Sequence, residues 1–429
     1  MYTTSFNWRN VVAIAICSVV LMIFNACDKT SDEITKDDEI TTTKGGDKPT
    51  QNPVELKSPI TENTTLKALG LPVDYIYTGN NLLSVENNAI LTIEPGVTIQ
   101  FTNNGRGGGI IIKSGSTIKA VGTADKRIRF IGAYEAKGTW GGINLESKTD
   151  NQFVYCDLLN AGYLYRTDCG AMYLVNGAQV GISHCKFTNG GGCGLVTNYM
   201  DYGGVCQISA FDNNVFEDFE GAPVHIGNLK QLEKFDMTSD FTKNKYPYIA
   251  IFKPLLGDNV TLNETTVPYY FGTGSGNKSL NLTHILTINA GITIYMGDSQ
   301  AIEGTAGKLI VKGTAAKKVK FTRYPGDADY YWSYVSFGTG LKGSVIEHCI
   351  LEYGGRTGTN DGIILINQNT DLTLNNVEIN NSEHYGVLIG NCGYILTHSN
   401  VTFSGNRDGN VWDKCNGGLP GSVVRTHFP

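Results

Sequence analysis

The sequence predicts an all-β protein, a parallel β-helix (solenoid) built from two duplicated halves. Three observations predict it. One stretch is used twice: Leu91 to Phe101 reads LTIEPGVTIQF and Leu286 to Met296 reads LTINAGITIYM, with six identities in the first nine residues. Apolar residues alternate with polar ones in runs too short for helices. The chain also holds 52 Gly, which with Asn fall at short irregular intervals, as the corners of a coil require.

The duplication runs well beyond that stretch. VGTADKRIRF (Val121 to Phe130) is answered by KGTAAKKVKF (Lys312 to Phe321). Trp140 is answered by Trp332, Cys156 by Cys349, and Asn160-Ala161-Gly162 by Tyr353-Gly354-Gly355. The lead-ins Leu71 to Asn80 and Val267 to Gly276 also correspond, and the spacing between copies stays within 190 to 196 residues. Self-similarity at a fixed distance fixes the architecture before any local motif is read.

Within each copy the pattern is that of short strands. Leu91, Ile93, Val97, Ile99 and Phe101 take alternate positions, with Pro95-Gly96 as the corner between two runs. Ile118 and Ala120, Ile128 and Phe130, and Ile143 and Leu145 repeat the scheme between turns at Gly122 and Gly132. Gly, Asn and Thr interrupt every window of helical length. Residues 63–429 are too many for one sandwich. Leu372 to Ile389 and Gly181 to Val196 set small polar residues between apolar pairs, the pattern of Asn and Ser ladders at the bends of stacked coils. Repeats of about 25 residues imply roughly 12 to 15 coils.

Four elements carry a family resemblance: LTIEPGVTI, the GTADK turn, TWGGI (Thr139 to Ile143) and VIEHCILEYGG (Val345 to Gly355). Together they resemble the right-handed parallel β-helix of many Bacteroidetes surface lipoproteins, a fold similar to pectin lyase. The resemblance covers most of residues 65–415. It implies a right-handed coil and leaves activity open, because such coils serve lyases, hydrolases and adhesins alike.

Residues 1–27 read as a signal peptide. Arg9 precedes an apolar run, Val11 to Phe24, too short for a comfortable membrane span. The small Ala26 directly before Cys27 resembles a lipoprotein processing site, so Cys27 is the expected lipidated residue. Several acyl chains on one Cys anchor a protein firmly, and the lipid is the only membrane contact expected. Residues 28–62 read as a disordered tether. Asp28 to Thr50 carries seven acids against four Lys and only two apolar residues, Ile34 and Ile40, too few to fold. Lys36-Asp37-Asp38-Glu39 is similar to the acidic export signal of such lipoproteins and implies an outer-membrane protein exposed at the cell surface.

The first copy is expected over 63–260 and the second over 261–429. Leu229 to Tyr248 reads as a loop projecting from the coil. Asn63 to Asp74 and Gly417 to Pro429 are the expected end caps, since an open coil end exposes unpaired backbone. Near Asp258 to Thr266 no Pro- or Gly-rich linker occurs, so the copies form either one continuous helix or two coils packed end on.

Composition narrows the partners. The formal net charge is −6, and no basic patch stands out, so nucleic acid is not an expected partner. Eight cysteines follow Cys27. Cys156 and Cys349 occupy equivalent places and read as a small apolar ladder position. Cys169 with Cys193 and Cys392 with Cys415 are the candidate disulfides. No spacing reads as a metal site, and no cofactor is expected.

Catalytic signals are sparse. Asn369-Thr370-Asp371 resembles the first motif of polygalacturonases, but the Asp-Asp pair that should follow is absent. His384 precedes Tyr-Gly with no downstream Arg-Ile-Lys, and Asp408 stands in a segment only loosely like a calcium loop. Aromatic clusters are stronger candidates. Alternation across Tyr330-Tyr331-Trp332-Ser333-Tyr334 turns Tyr330, Trp332 and Tyr334 to one side, a platform on which a sugar could stack; a coil-corner packing role competes for Trp332, as for Trp140. Tyr163, Tyr165 and Arg166, with Tyr199, Asp201 and Tyr202, form a second group on expected loops. The reading is a surface β-helix that binds polysaccharide, host glycan or a host or matrix surface without catalysis. A polysaccharide lyase or glycoside hydrolase with an unrecognised site, and a structural adhesin shaft, are the alternatives.

Overall fold

The structure, a computed structural model, describes residues 52–102, 108–162, 170–197, 204–272, 279–304, 306–326, 329–338, 341–356 and 362–415, with backbone alone for 253–255. These residues form an all-β, right-handed-type parallel solenoid of about 12 turns. In the first copy each turn passes through three faces. One turn runs Ile110–Ile112, Thr117–Val121, Ile128–Gly132, and the next runs Ile143–Leu145, Asn151–Val154, Cys156–Leu159. Each strand pairs in parallel with its counterpart one turn later, as Ile143 with Ile110, Phe153 with Ala120 and Leu158 with Phe130.

Alternation accounts for the core. In Thr98–Phe101 the side chains of Ile99 and Phe101 are buried, and Gln100 between them points outward. Stacking then makes ladders: Ile99, Phe130, Leu158, Phe187 and Phe216 follow one another along the third face. Phe187 and Phe216 lie ring on ring at 4.4 Å. Each such buried ring contributes about 2–3 kcal/mol. Cys156 and Cys349 are wholly buried in this core, the place expected for them.

Single residues in the left-handed region turn the chain at the corners. Tyr155, His184 and Asn213 do so between the second and third faces of the first copy, and His348, Asn376 and Asn400 in the second. Asn tolerates this conformation because its short amide bonds locally. The amides also bond along the stack, Asn189 Nδ2 to Asn160 Oδ1 at 2.7 Å and Asn400 Nδ2 to Asn376 Oδ1 at 3.0 Å.

The copies join in one continuous hydrogen-bonded stack. Ile249–Leu255 pairs with Val224–Asn228 on one side and with Tyr269–Phe271 on the other. Tyr269–Phe271 corresponds to Tyr75–Tyr77, which lies on the third face of the first copy and pairs with Thr98–Phe101. Val224–Asn228 belongs to the first face. The second copy is therefore stacked with a step of one face.

Three expectations need correction. Leu229 to Tyr248 is not a projecting loop: Leu229–Lys234 forms a 3-10 helix, and Leu229, Leu232, Phe235 and Phe241 are buried in the core. Phe211 stacks on Phe235 at 4.0 Å, so apolar packing draws this charged segment inward. The coil also begins inside the stretch assigned to the tether, since Val54 and Glu55 pair with Tyr75 and Ile76, and Leu56 and Ile60 are buried. Asn63 to Asp74 is accordingly part of a turn, with Thr64–Leu66 paired to Ile90–Ile93. Gly417 to Pro429 lies outside the described residues. No helix among them is long and apolar enough to cross a membrane.

Candidate functional site

A cluster of tyrosines lies on the outer face where the second copy begins. Its strands explain why. In Tyr269–Phe271 the first and last rings are buried and Tyr270 points out. In Thr293–Met296 the pattern is the same, with Tyr295 between buried Ile294 and Met296. Register places Tyr270 beside Tyr295 on adjacent rungs. The equivalent outward positions of the first copy hold Ile76 and Gln100, so this pair of tyrosines is a property of the second copy alone.

Two further tyrosines complete the face. Tyr248 stacks on Tyr270 at 4.7 Å with 24° between the planes. Tyr324 follows the strand Val319–Arg323 and stands edge-on, 5.3 Å from Tyr248 and 5.4 Å from Tyr295. Tyr246 adds a fifth ring 6.0 Å from Tyr248, with the Lys245 ammonium 5.5 Å from its centre. Tyr248, Tyr270, Tyr295 and Tyr324 are half-buried, and Tyr246 is exposed. Burial, and secondarily the neighbouring Tyr324, push the Tyr295 phenol above its ordinary pKa.

The segment 330–334 lies beside this face, with Tyr330, Tyr331 and Tyr334 half-buried. It is not a strand, and alternation fails in it, because consecutive Trp332 and Ser333 are both buried. Tyr330 accepts the Tyr324 amide at 3.0 Å and donates its hydroxyl to the Met296 carbonyl at 3.0 Å, which fixes Tyr324. Trp332 is 0% exposed and cannot meet a ligand; its Nε1 donates to the Glu352 carbonyl at 2.8 Å. Tyr331 is half-buried 5.7 Å from the Arg323 guanidinium, which also lies 4.1 Å over Tyr353. Tyr334 donates to Glu303 Oε1 at 3.3 Å. Tyr163, Tyr165, Arg166, Tyr199, Asp201, Tyr202 and Cys27 lie outside the described residues.

The catalytic echoes are not brought together. Asn369 takes the left-handed conformation of a corner, and Thr370 Oγ1 donates to the Phe337 carbonyl at 2.6 Å. His384 lies at a different corner, where its Nδ1 is 2.6 Å from Asp408 Oδ2 and 2.9 Å from Arg407 Nη2. The His384 hydrogen bond holds the Asp408 carboxyl below its ordinary value, helped by Arg407. These three side chains satisfy one another. Of the candidate disulfides, Cys392–Cys415 is formed, with Cα atoms 5.2 Å apart; Cys169, the suggested mate of Cys193, is not described.

Tyr248, Tyr270, Tyr295 and Tyr324 were not among the residues that the sequence singled out. The available signal was positional: an aromatic at the outward place of a strand whose duplicate holds a non-aromatic residue.

Comparison with known families agrees with this architecture. A family model described as a pectate-lyase-like beta helix domain matches residues 60–152. No curated protein matches, and no solved structure does.

Proposed function

We propose that this protein is a lipid-anchored surface β-helix that binds glycans non-covalently on the tyrosine face at the start of its second copy. The carrying observation is the contiguous set of Tyr248, Tyr270, Tyr295 and Tyr324, half-exposed on or directly beside adjacent rungs. Flat rings present apolar area and a polar edge at little entropic cost, which suits the apolar face and hydroxyl rim of a pyranose. Neighbouring rungs are ~4.8 Å apart, so the face runs along the solenoid axis and favours an extended chain over a single sugar.

The anchor is Cys27, followed by the acidic, Thr-rich stretch, and the destination is the outer face of the outer membrane. Labelling cells with a radioactive fatty acid tests the anchor: loss of label in Cys27→Ala supports it, and unchanged label overturns it. A glycan array tests binding. The double variant Tyr270→Ala, Tyr295→Ala is expected to lose the signals of the native chain, and an unchanged pattern would remove the proposal. Incubation with uronate polysaccharides tests the rival lyase reading, for which unsaturated product is the diagnostic result.

A further inference from the structure

The duplicated halves differ at the corner between the second and third faces. In the first copy the corner is filled. Tyr155 and His184, on successive turns, stack at 4.5 Å with 9° between their planes. The Arg127 guanidinium lies 5.7 Å from the Tyr155 centre. Its Nη2 donates to the Cys156 and His184 carbonyls at 3.2 and 2.8 Å, and its Nε to Asp157 at 2.7 Å. A planar cation is thus part of this corner.

In the second copy the same corner is open. His348 replaces Tyr155 and Asn376 replaces His184, each keeping the left-handed backbone (φ 44° and 54°, against 49° and 55°). Among the described residues no ring stacks on His348, whose Nε2 lies 3.5 Å from Asn376 Nδ2. Lys318, the counterpart of Arg127, pairs instead with Glu378. What remains is a cleft of about 450 Å³ bounded by the turn Gly313-Thr314-Ala315 and lined by Glu347, His348, Asn375, Asn376 and Ser399. The half-buried Glu347 carboxylate accepts from Asn375 Nδ2 at 3.4 Å and has no ion pair among the described residues. Ser399 Oγ donates to Asn375 Oδ1 at 2.9 Å, which orients that amide.

We propose that this cleft binds a guanidinium group supplied by a ligand, either an arginine side chain of a partner polypeptide or a free arginine-like molecule. The chemistry follows from what the corner lacks. A planar, weakly hydrated cation stacks on an imidazole face as His184 stacks on Tyr155, and its fork of donors suits a carboxylate. Glu347 supplies that carboxylate, and the Ser399 hydroxyl oxygen supplies a further acceptor, while Asn376 Oδ1 already accepts from Asn400 Nδ2. A compact, strongly hydrated ammonium gains less from the ring. The site is separate from the tyrosine face and does not depend on glycan binding.

The test titrates the full chain with N-acetyl-arginine amide, N-acetyl-lysine amide and the peptide Gly-Arg-Gly, following the side-chain amides of Asn375 and Asn376 by NMR. Saturable shifts with the arginine compounds are expected, and Glu347→Gln should weaken them about tenfold, the loss of one charge-assisted pair. Tighter binding of the peptide identifies a polypeptide source, and tighter binding of the amide a free molecule. Asn376→His puts a ring in the place where the ligand would stack on His348, as His184 stacks on Tyr155 in the first copy, so it should fold normally and abolish binding. Absence of saturable shifts, equal binding of the lysine amide, or unchanged binding in Asn376→His would overturn the proposal.

Discussion

Trp332 donates its indole N–H to the carbonyl oxygen of Glu352 at 2.8 Å, one turn further along the coil. Trp140 does the same to Leu159 at 2.8 Å in the first copy. Both indoles are buried, and Phe101 stacks on Trp140 at 4.5 Å. The repeated Trp thus locks one turn to the next at the same corner of each half.

Removing either indole should therefore cost heavily. Trp332→Ala leaves a large cavity and an unmatched carbonyl, and is expected to destabilise the protein by about 3–5 kcal/mol. Trp332→Phe keeps much of the volume but orphans the Glu352 oxygen, for about 1–3 kcal/mol. Urea denaturation measures both, and a change below about 0.5 kcal/mol in Trp332→Ala, the range of an inert surface substitution, would contradict the packing described.

Stability should fall on acidification through His225. Its ring is buried, neither nitrogen has a hydrogen-bond partner among the described residues, and burial lowers its pKa from 6.5 to about 3. Below pH 6.5 the unfolded chain takes up a proton that the folded chain refuses, so stability is complete above that pH and drains away down to about 3. The slope is about 1.4 kcal/mol per pH unit. His225→Leu should flatten that part of the curve between pH 7 and 5. An identical slope in the variant would show that His225 does not contribute it.

Reducing Cys392–Cys415 should loosen the last described turn. The bridge spans 23 residues, for which chain entropy gives about 3 kcal/mol. Because a solenoid's turns are stabilised mainly by their neighbours, the loss should be local. Hydrogen exchange after reduction is expected to accelerate over Ile395–Ser404 while Thr98–Phe101 stays protected. Uniform acceleration along the chain would point instead to a single cooperative unit.

The coil was legible because its causes are local. Pro95-Gly96 is a corner with Gly96 at φ 88°, and its counterpart Gly291 sits at φ 84°. Period-two alternation at Leu91 and Leu286 put the right side chains inside. The join was illegible because a one-face step is a matter of which strand finds which partner, and Ile249–Leu255 carries no mark of it. The 3-10 turn at Leu229–Lys234 was hidden by its charges, although its buried Leu residues decide its position. The alternation expected at 330–334 failed because it holds only within a strand, and this segment is an irregular approach to the strand Val335–Phe337. The tyrosine face needed register as well as sequence: Tyr248, Tyr270, Tyr295 and Tyr324 are spread over 77 residues and meet only when the turns stack.

Chemical footprinting of tyrosines, with and without a glycan identified on the array, tests the central claim most directly. Nitration read by mass spectrometry compares Tyr246, Tyr248, Tyr270 and Tyr324 with Tyr134, which is 60% exposed on the first copy. Bound glycan is predicted to shield these four tyrosines and leave Tyr134 reactive. Shielding at Tyr134, or at none of the four, would contradict the account.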